Sequence, residues 1–168
     1  AALRAEGFRG LLVLEPGRAL VADAVTLATT VVAVKELADG RGCVVLDAGT
    51  NLLPATLWGW PHLESLVAAG DGPPVLVSGP LCLNVDVVHP AASLGAPVPG
   101  DIVLARDVGA YQQVQSTQFG DLRPAVVVRE DGRWRLSRRR EELGDLLAGE
   151  TGPSLPVGGP DGRGARAA

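Results

Sequence analysis

Short apolar runs separated by turns rich in glycine and proline recur along most of this chain. Turn sequences at residues 39–42 and 71–74 are examples. Residues 54–62 have no regular pattern and are predicted to be irregular. Many short strands at regular spacing predict a mostly β protein, built as a barrel or a sandwich. Branched side chains, which favour strands over helices, are concentrated in four of the runs: residues 29–35, 43–47, 75–78 and 102–105.

The two ends of the chain have different patterns. Near the start, the apolar run at residues 11–14 stops at Glu15-Pro16-Gly17-Arg18, which indicates a buried strand that ends in a turn. Near the end, residues 124–130 and 134–137 are predicted to form a hairpin, followed by a short helix over residues 139–148. From residue 149 onward little remains that a core could bury, so we expect disorder there.

Composition narrows the classes of protein that this chain fits. It has 168 residues, a formal net charge of −4, two cysteines and no methionine. No apolar run approaches the ~18–20 residues of a membrane-spanning helix, and the negative charge argues against a nucleic-acid surface. Two cysteines make no disulfide framework, so we expect a reducing cytoplasm. Because methionine is absent, we expect an N-terminus that has been processed or a chain that is part of a longer one.

One cysteine lies in a segment that is typical of a loop, Gly79-Pro80-Leu81-Cys82. The Gly-Pro pair predicts a turn, and loops carry reactive groups more often than strands do. Cys82 is therefore a candidate acid, base or nucleophile. Packing remains an alternative, because a cysteine is also a small hydrophobic residue that cores accept. Cys43 lies inside a predicted strand and is expected to belong to the core.

In order and spacing, four motifs within residues 11–148 resemble the C-terminal part of the pyridoxal-phosphate decarboxylases of fold type III. That family includes the diaminopimelate, ornithine and biosynthetic arginine decarboxylases. The resemblance implies pyridoxal 5'-phosphate as the cofactor. The motifs that carry it are Glu15-Pro16-Gly17-Arg18, Leu46-Asp47-Ala48-Gly49 with Asn51, Gly79-Pro80-Leu81-Cys82 with Asp86, and Gly100-Asp101 followed by Gly109-Ala110-Tyr111.

The resemblance also implies an architecture. Members of the family consist of an N-terminal (β/α)8 barrel and a C-terminal β domain. By this resemblance residues 1–18 hold the last strand of a barrel that is otherwise absent here. Residues 19–148 are the β domain, and residues 149–168 are a disordered tail.

The resemblance implies roles at the cofactor. Pyridoxal phosphate draws electrons from the bond that breaks when carbon dioxide leaves, and a carboxylate beside its ring nitrogen strengthens this effect. In the family the Glu-Pro-Gly-Arg motif provides that carboxylate, which gives the role to Glu15. Gly17 and Arg18 of this motif, and Tyr111, are assigned to the cofactor, since guanidinium and hydroxyl groups bind phosphate. From the residues alone, a helix cap, a surface ion pair and a core ring stay open for Glu15, Arg18 and Tyr111.

Cys82 matches the family cysteine that reaches the active site of the partner subunit and delivers a proton to the substrate carbon after decarboxylation. A free thiol has an ordinary pKa of about 8.5 and therefore holds its proton at neutral pH. Because this residue acts across an interface, the resemblance implies a dimer or a heterotetramer with shared active sites. Asp86 is assigned to the substrate pocket, although we expect it to order the cysteine loop rather than to contact substrate.

A first departure from the family concerns the lysine that carries the cofactor, which lies in the barrel of the family. The single lysine here, Lys35, matches an ordinary basic position. The chain alone is therefore not expected to be a decarboxylase. It requires the barrel half as a partner, supplied by a separate polypeptide or by the missing part of the same gene.

A second departure concerns the substrate pocket. Basic-amino-acid decarboxylases carry an acidic residue directly after the cysteine, where this chain has Leu83. Ornithine-type members carry another after the asparagine, where it has Leu52, and the diaminopimelate enzymes place an arginine where it has Pro54. A buried ammonium group that faces two leucines would be unpaired. We therefore expect a substrate with an uncharged, larger or masked side chain, for example an amino acid held on a carrier protein.

Two other functions stay open from the sequence. The chain is compatible with a non-catalytic regulatory relative, although a regulator needs none of the retained residues Glu15, Arg18, Cys82 and Tyr111. An amino-acid racemase of the same fold type is the other alternative, and the Gly-Pro-Leu-Cys motif argues against it. We expect no metal site and no nucleic-acid or membrane partner.

Overall fold

The computed structural model of this chain describes residues 2–67 and 72–152. The chain forms two compact units, Ala1–Gly120 and Asp121–Ala168. The division between them lies inside the predicted β domain, whose boundaries at residues 19 and 148 stay a prediction. Most of the predicted disordered tail, from residue 153 onward, lies outside the described residues.

A six-stranded sheet organises the first unit. The strands lie side by side in the order β3-β6-β1-β2-β4-β5. β2 and β4 pair in parallel, and the other neighbours pair antiparallel. The mostly β fold is thus confirmed, and β1, β2, β4 and β6 correspond to the four predicted runs. The strand bounds are β1 (Leu27–Glu36), β2 (Gly42–Leu46), β3 (His62–Ser65), β4 (Val75–Ser78), β5 (Val87–Ala92) and β6 (Ile102–Arg106).

The helices of this unit are short. α1 covers Ala2–Ala5 and α2 covers Gln112–Gln115, and 3-10 turns cover Arg18–Leu20, Ala22–Ala24 and Pro54–Leu57. In the described part of the chain, no helix is both long and apolar enough to cross a membrane.

The core lies against one face of this sheet. Full burial of a leucine or valine side chain contributes about 1.5–3 kcal/mol, so this cluster is the main source of stability in the unit. Cys43 is also buried, with its thiol 3.8 Å from the hydroxyl of Ser78. The side chains that are at most 2% exposed include Val31, Val44, Leu46, Leu53, Val77, Val88, Leu94, Val103 and Val108.

The strand predicted at residues 11–14 is not formed. Residues 11–16 have no regular secondary structure, and Leu11 and Leu14 are 87% and 74% exposed. A strand requires a neighbour for its backbone hydrogen bonds, and no described segment pairs with these residues. Their assignment to a barrel strand stays a prediction.

The second unit contains the predicted hairpin. β7 (Val126–Glu130) and β8 (Arg133–Arg138) pair antiparallel. The turn between them places Asp131 and Gly132 at φ values of 49° and 75°, as a tight hairpin turn requires.

The predicted helix over residues 139–148 is shorter in the structure, where α3 covers only Leu143–Leu146. The residues before α3 form its N-terminal cap instead of a helical turn. The side chains of Glu142 and Asp145 form a reciprocal capping box, and the guanidinium of Arg139 donates two hydrogen bonds of 2.7 Å to Asp145. Those bonds, with one from the backbone of Glu142, lower the pKa of Asp145 to about 2.

Candidate active site

A buried carboxylate holds the loop that carries Cys82 through hydrogen bonds. Asp86, which is 3% exposed, accepts hydrogen bonds from the backbone N–H of Leu81 at 2.7 Å and of Thr50 at 2.7 Å, and from the Thr50 hydroxyl at 3.2 Å. Its own backbone carbonyl accepts a bond from the N–H of Gly79 at 3.1 Å. Asp86 therefore joins the cysteine loop to the loop that follows β2.

Two glycines make room for this carboxylate. A Cβ atom added at Gly49 or at Gly79 would overlap the oxygens of Asp86. Both glycines belong to the motifs on which the family resemblance rests. The two loop backbones approach each other closely at these glycines, and the carboxylate of Asp86 lies beside both. Only glycine, which has no Cβ atom, leaves room for this arrangement.

The cysteine itself is exposed, so the packing interpretation of Cys82 does not hold for this structure. The next residue, Leu83, is 43% exposed, and its carbonyl accepts a hydrogen bond from the N–H of Asp86 at 3.0 Å. The loop thus presents a thiol and an apolar side chain together. Leu52 is half-buried in the neighbouring loop, where its N–H donates to the carbonyl of Gly49 at 3.0 Å.

Arg18 and Tyr111, which lie far apart in the sequence, are close together in the structure. The guanidinium carbon of Arg18 lies 5.9 Å from the centre of the Tyr111 ring, over its face, within the range of a cation–π interaction. The structure does not show the two alternatives, a surface ion pair for Arg18 and a core ring for Tyr111. Arg18 forms no ion pair with a described residue, and Tyr111 is 45% exposed rather than part of the core.

Backbone contacts bring these two residues together. The N–H of Gly109 donates to the carbonyl of Ala22 at 2.8 Å, and the N–H of Val108 donates to the carbonyl of Val25 at 3.1 Å. A Cβ atom at Gly109 would overlap the carbonyl oxygen of Val21. The glycine of the Gly-Ala-Tyr motif therefore allows the segment after Arg18 to lie directly against the segment before Tyr111.

The backbone of Tyr111 is strained. Its φ of 69° lies in the left-handed region, which non-glycine residues adopt at a cost of about 1–3 kcal/mol. Such strain persists only where the surroundings hold it. Gln112, the next residue, is buried, and its side-chain carbonyl accepts a hydrogen bond from the N–H of Ala55 at 3.0 Å.

Trp58, which was not predicted as a site residue, contacts Tyr111 in the structure. Its ring lies edge-on to Tyr111, with 6.3 Å between centroids and 76° between planes. Trp60 instead contacts the ring of His89, at 6.1 Å, and burial lowers the pKa of His89. Trp58 and Trp60 lie in an irregular segment after a 3-10 turn. The sequence there has no periodic pattern that would distinguish Trp58 from Trp60.

The residues at Arg18 and Tyr111 fit the phosphate of pyridoxal phosphate. A guanidinium and a phenolic hydroxyl are both hydrogen-bond donors suited to a phosphate dianion. Gly17 leaves open a space that a Cβ atom would fill, 3.5 Å from the Tyr111 hydroxyl. Glu15 is exposed and has no hydrogen bond or ion pair with a described residue, so its carboxylate is available. Neither Glu15 nor Cys82 forms a hydrogen bond, an ion pair or a ring contact with Arg18 or Tyr111 in the described part of the chain.

Comparisons with known proteins identify the family of this chain. Residues 19–109, more than half of the chain, match the family model of the C-terminal sheet domain of pyridoxal-dependent decarboxylases. The chain is 36% identical over 154 residues to the diaminopimelate decarboxylase of Escherichia coli (strain K12), which covers 82% of this chain and 36% of the relative. The corresponding enzyme of Archaeoglobus fulgidus is 36% identical over 140 residues, which covers 80% and 33%.

Solved structures show the same likeness. The diaminopimelate decarboxylase from Helicobacter pylori, complexed with L-lysine, superposes with a TM-score of 0.71 at 31% identity, over 80% of this chain and 34% of that one. The enzyme from M. jannaschii, in co-complex with L-lysine, superposes with a TM-score of 0.75 at 30% identity, over 83% and 32%. The chain spans about a third of the length of the relatives that it matches. It belongs to the pyridoxal-dependent decarboxylases, a family that uses pyridoxal 5'-phosphate, and corresponds to their C-terminal sheet domain.

Proposed function

We propose that this chain is the β-domain part of a pyridoxal-phosphate-dependent amino-acid decarboxylase, and that it supplies cofactor contacts and a proton donor to a shared active site. The observation that carries the proposal is the position of the Arg18 guanidinium over the Tyr111 ring, 5.9 Å from its centre. Two phosphate-binding groups from separate motifs meet there, on a surface open to a ligand.

Each residue then has a defined task. When bound, pyridoxal phosphate supplies the electron sink that lets carbon dioxide leave. The Arg18 guanidinium and the Tyr111 hydroxyl bind the phosphate, and Gly17 leaves room for it. The carboxylate of Glu15 keeps a proton on the ring nitrogen. The thiol of Cys82 gives its proton to the carbon from which carbon dioxide has left, and the thiolate regains a proton from solvent.

We propose that a barrel portion, carrying the lysine that binds the cofactor, completes the site. Four apolar side chains at residues 11–14 are between 51% and 87% exposed in this chain. Such a run is a surface for another polypeptide. Cys82 would act in the site of a second copy, which makes the assembly a dimer or a heterotetramer with shared sites.

The substrate follows from the apolar residues beside the thiol. Leu83 stands where basic-amino-acid decarboxylases carry an acid, and an ammonium group enclosed there would have no partner. We propose a substrate without a free distal amine, a modified or carrier-bound amino acid. Diaminopimelate, named for the relatives, is the competing substrate. A profile of the complete enzyme in which kcat/KM is highest for diaminopimelate, ornithine or lysine would overturn the proposal on substrate.

The substitution Cys82→Ala in the complete enzyme tests the proposal on function. We expect kcat to fall by about 10²–10⁴-fold, the range for loss of a general acid, or the products to change, while the Kd for pyridoxal phosphate is unchanged. The regulatory alternative predicts the same activity in the assembled complex with either residue at position 82. Cys43→Ala, which removes the buried cysteine, is the matched control and should leave the products unchanged.

A further inference from the structure

We propose that Trp58 and Gly59 form a third wall of the cofactor-phosphate site, in which Trp58 is a positioning residue that acts through Tyr111. This inference rests on the proposed binding of pyridoxal phosphate by Arg18 and Tyr111. It adds a segment that belongs to none of the four family motifs.

The first observation is the arrangement of three side chains around one ring. Arg18 lies over the Tyr111 ring at 5.9 Å, and Trp58 meets it edge-on at 6.3 Å and 76°. Edge-to-face aromatic pairs at this separation are attractive. The phenol of Tyr111 is therefore held by a cation and by a second ring before any ligand binds.

The second observation is the contact of Gly59 with Arg18. A Cβ atom at Gly59 would lie 3.3 Å from the Nη1 atom of Arg18, a tight contact that a movement of a few tenths of an ångström would relieve. The residue after Trp58 thus borders the guanidinium. One dipeptide faces both proposed phosphate-binding side chains, Trp58 at the phenol ring and Gly59 at the guanidinium.

The third observation is that the dipeptide is itself fixed. The N–H groups of Trp58 and Gly59 both donate to the carbonyl of Ala55, at 3.1 Å each. The N–H of Ala55 donates to the side chain of Gln112 at 3.0 Å. Because Gln112 follows Tyr111 directly, this bond connects the Trp58 segment to the backbone that carries the phenol.

A reason for such a wall lies in the backbone of Tyr111. Its φ of 69° is unfavourable for a tyrosine, and its ring is 45% exposed. Without support, the phenol would lose its fixed direction, and phosphate binding would then have to order it. Trp58 reduces that cost by holding the ring in the bound orientation.

The test measures cofactor affinity and the environment of its phosphate in the complete enzyme. Apoenzyme is titrated with pyridoxal phosphate, and the ³¹P resonance of the bound cofactor is followed against pH. For Trp58→Ala we expect the Kd to rise about three- to tenfold, the equivalent of one aromatic pair, with a shifted phosphate titration. Trp58→Phe, which retains a ring, should recover part of the affinity. Gly59→Ala should change the Kd less than Trp58→Ala does, because the end of the Arg18 side chain needs to move by only a few tenths of an ångström.

Trp60→Ala is the matched control, because Trp60 is also half-exposed but contacts His89 instead of Tyr111. Its Kd should stay within about twofold of the wild type. A Trp58→Ala enzyme with unchanged Kd, or with a raised substrate KM alone, would overturn the inference. If Trp58→Ala does not fold, Trp58→Leu, which keeps apolar volume without a ring, takes its place, and an unchanged Kd in that variant overturns the inference. A wild-type enzyme that binds no pyridoxal phosphate would instead refute the proposed function.

Discussion

The cysteine loop and the segment before Arg18 both carry motifs of the site, but they are held in different ways. Residues 79–86 are fixed from within the chain by the buried carboxylate of Asp86, through bonds of 2.7–3.2 Å to Leu81 and Thr50. Residues 11–16 form no regular structure, and Leu11 is 87% exposed.

This difference shows which of the two segments is held in place by contacts within this chain. The cysteine loop is held by hydrogen bonds within this chain, so its conformation does not depend on another polypeptide. In the segment that precedes Arg18, the apolar side chains of residues 11–14 are exposed, and the Glu15 carboxylate has no hydrogen bond or ion pair with a described residue. Nothing in the described part of the chain therefore fixes the conformation of this segment.

The largest effect is expected for Asp86→Ala. Removing the carboxylate leaves the N–H groups of Thr50 and Leu81 without their acceptor, and each stranded buried donor costs about 1–3 kcal/mol. We expect the free energy of unfolding of the first unit to fall by about 2–5 kcal/mol. The rate of alkylation of Cys82 should rise as its loop becomes mobile. Asp86→Asn, which keeps one oxygen, should lose less stability. Equal stability of the wild type and both variants would show that Asp86 does not hold the cysteine loop.

A smaller loss is expected for Gly109→Ala, because the added Cβ overlaps the carbonyl of Val21. Overpacking of this kind costs about 1–3 kcal/mol, and it separates Arg18 from Tyr111. The cofactor Kd of the complete enzyme should therefore rise as well. Gly144→Ala is the matched control, since a Cβ there meets no atom within 4 Å. An unchanged Kd in Gly109→Ala would show that the contact does not position Arg18.

Leu12→Asp tests the other side of the comparison. Leu12 is 51% exposed, so the substitution should change the stability of the isolated chain by no more than about 0.5 kcal/mol. Its solubility should improve, while association with the barrel portion should weaken, as measured by co-purification. A large destabilisation of the isolated chain would mean that residues 11–14 already have a partner within it.

The smallest effect concerns pH. Burial lowers the pKa of His89 from its ordinary 6.5, so the folded protein binds this proton less readily than the unfolded chain does. The stability that depends on neutral His89 is present above pH 6.5 and is lost as the pH falls below that value. His89→Gln should flatten the decline of the unfolding temperature between about pH 6.5 and 5. An identical pH profile in both proteins would contradict this assignment.

Much of the fold is predictable because the central strands are rich in branched residues and bounded by glycine turns. The two strands that the sequence did not predict, β3 and β5, lie at the edges of the sheet. β5 contains Pro90, which a ladder tolerates only at an edge. β3 is the short segment His62–Ser65, which becomes a strand by pairing with β6. In β5 the proline interrupts the valine-rich start of the strand, and β3 has no β-branched residue.

The site was predictable only in part. The motifs select Arg18, Tyr111 and Cys82 as candidates, and the structure brings Arg18 and Tyr111 together and exposes Cys82. Their roles stay predictions. Trp58 was not identified, since its ring contact with Tyr111 joins residues that lie far apart in the sequence. The strand predicted at residues 11–14 is not formed: a strand needs a neighbour for its backbone hydrogen bonds, and no described segment pairs with these residues.

The most direct test of the central claim is a titration with pyridoxal phosphate, followed by near-visible absorbance, of this chain alone and of the chain assembled with its barrel portion. We expect that only the assembled protein develops the absorbance of bound cofactor, and that Arg18→Ala weakens it. Absorbance of bound cofactor at the same strength from the isolated chain would show that it binds pyridoxal phosphate without a barrel, which is the opposite of what we propose.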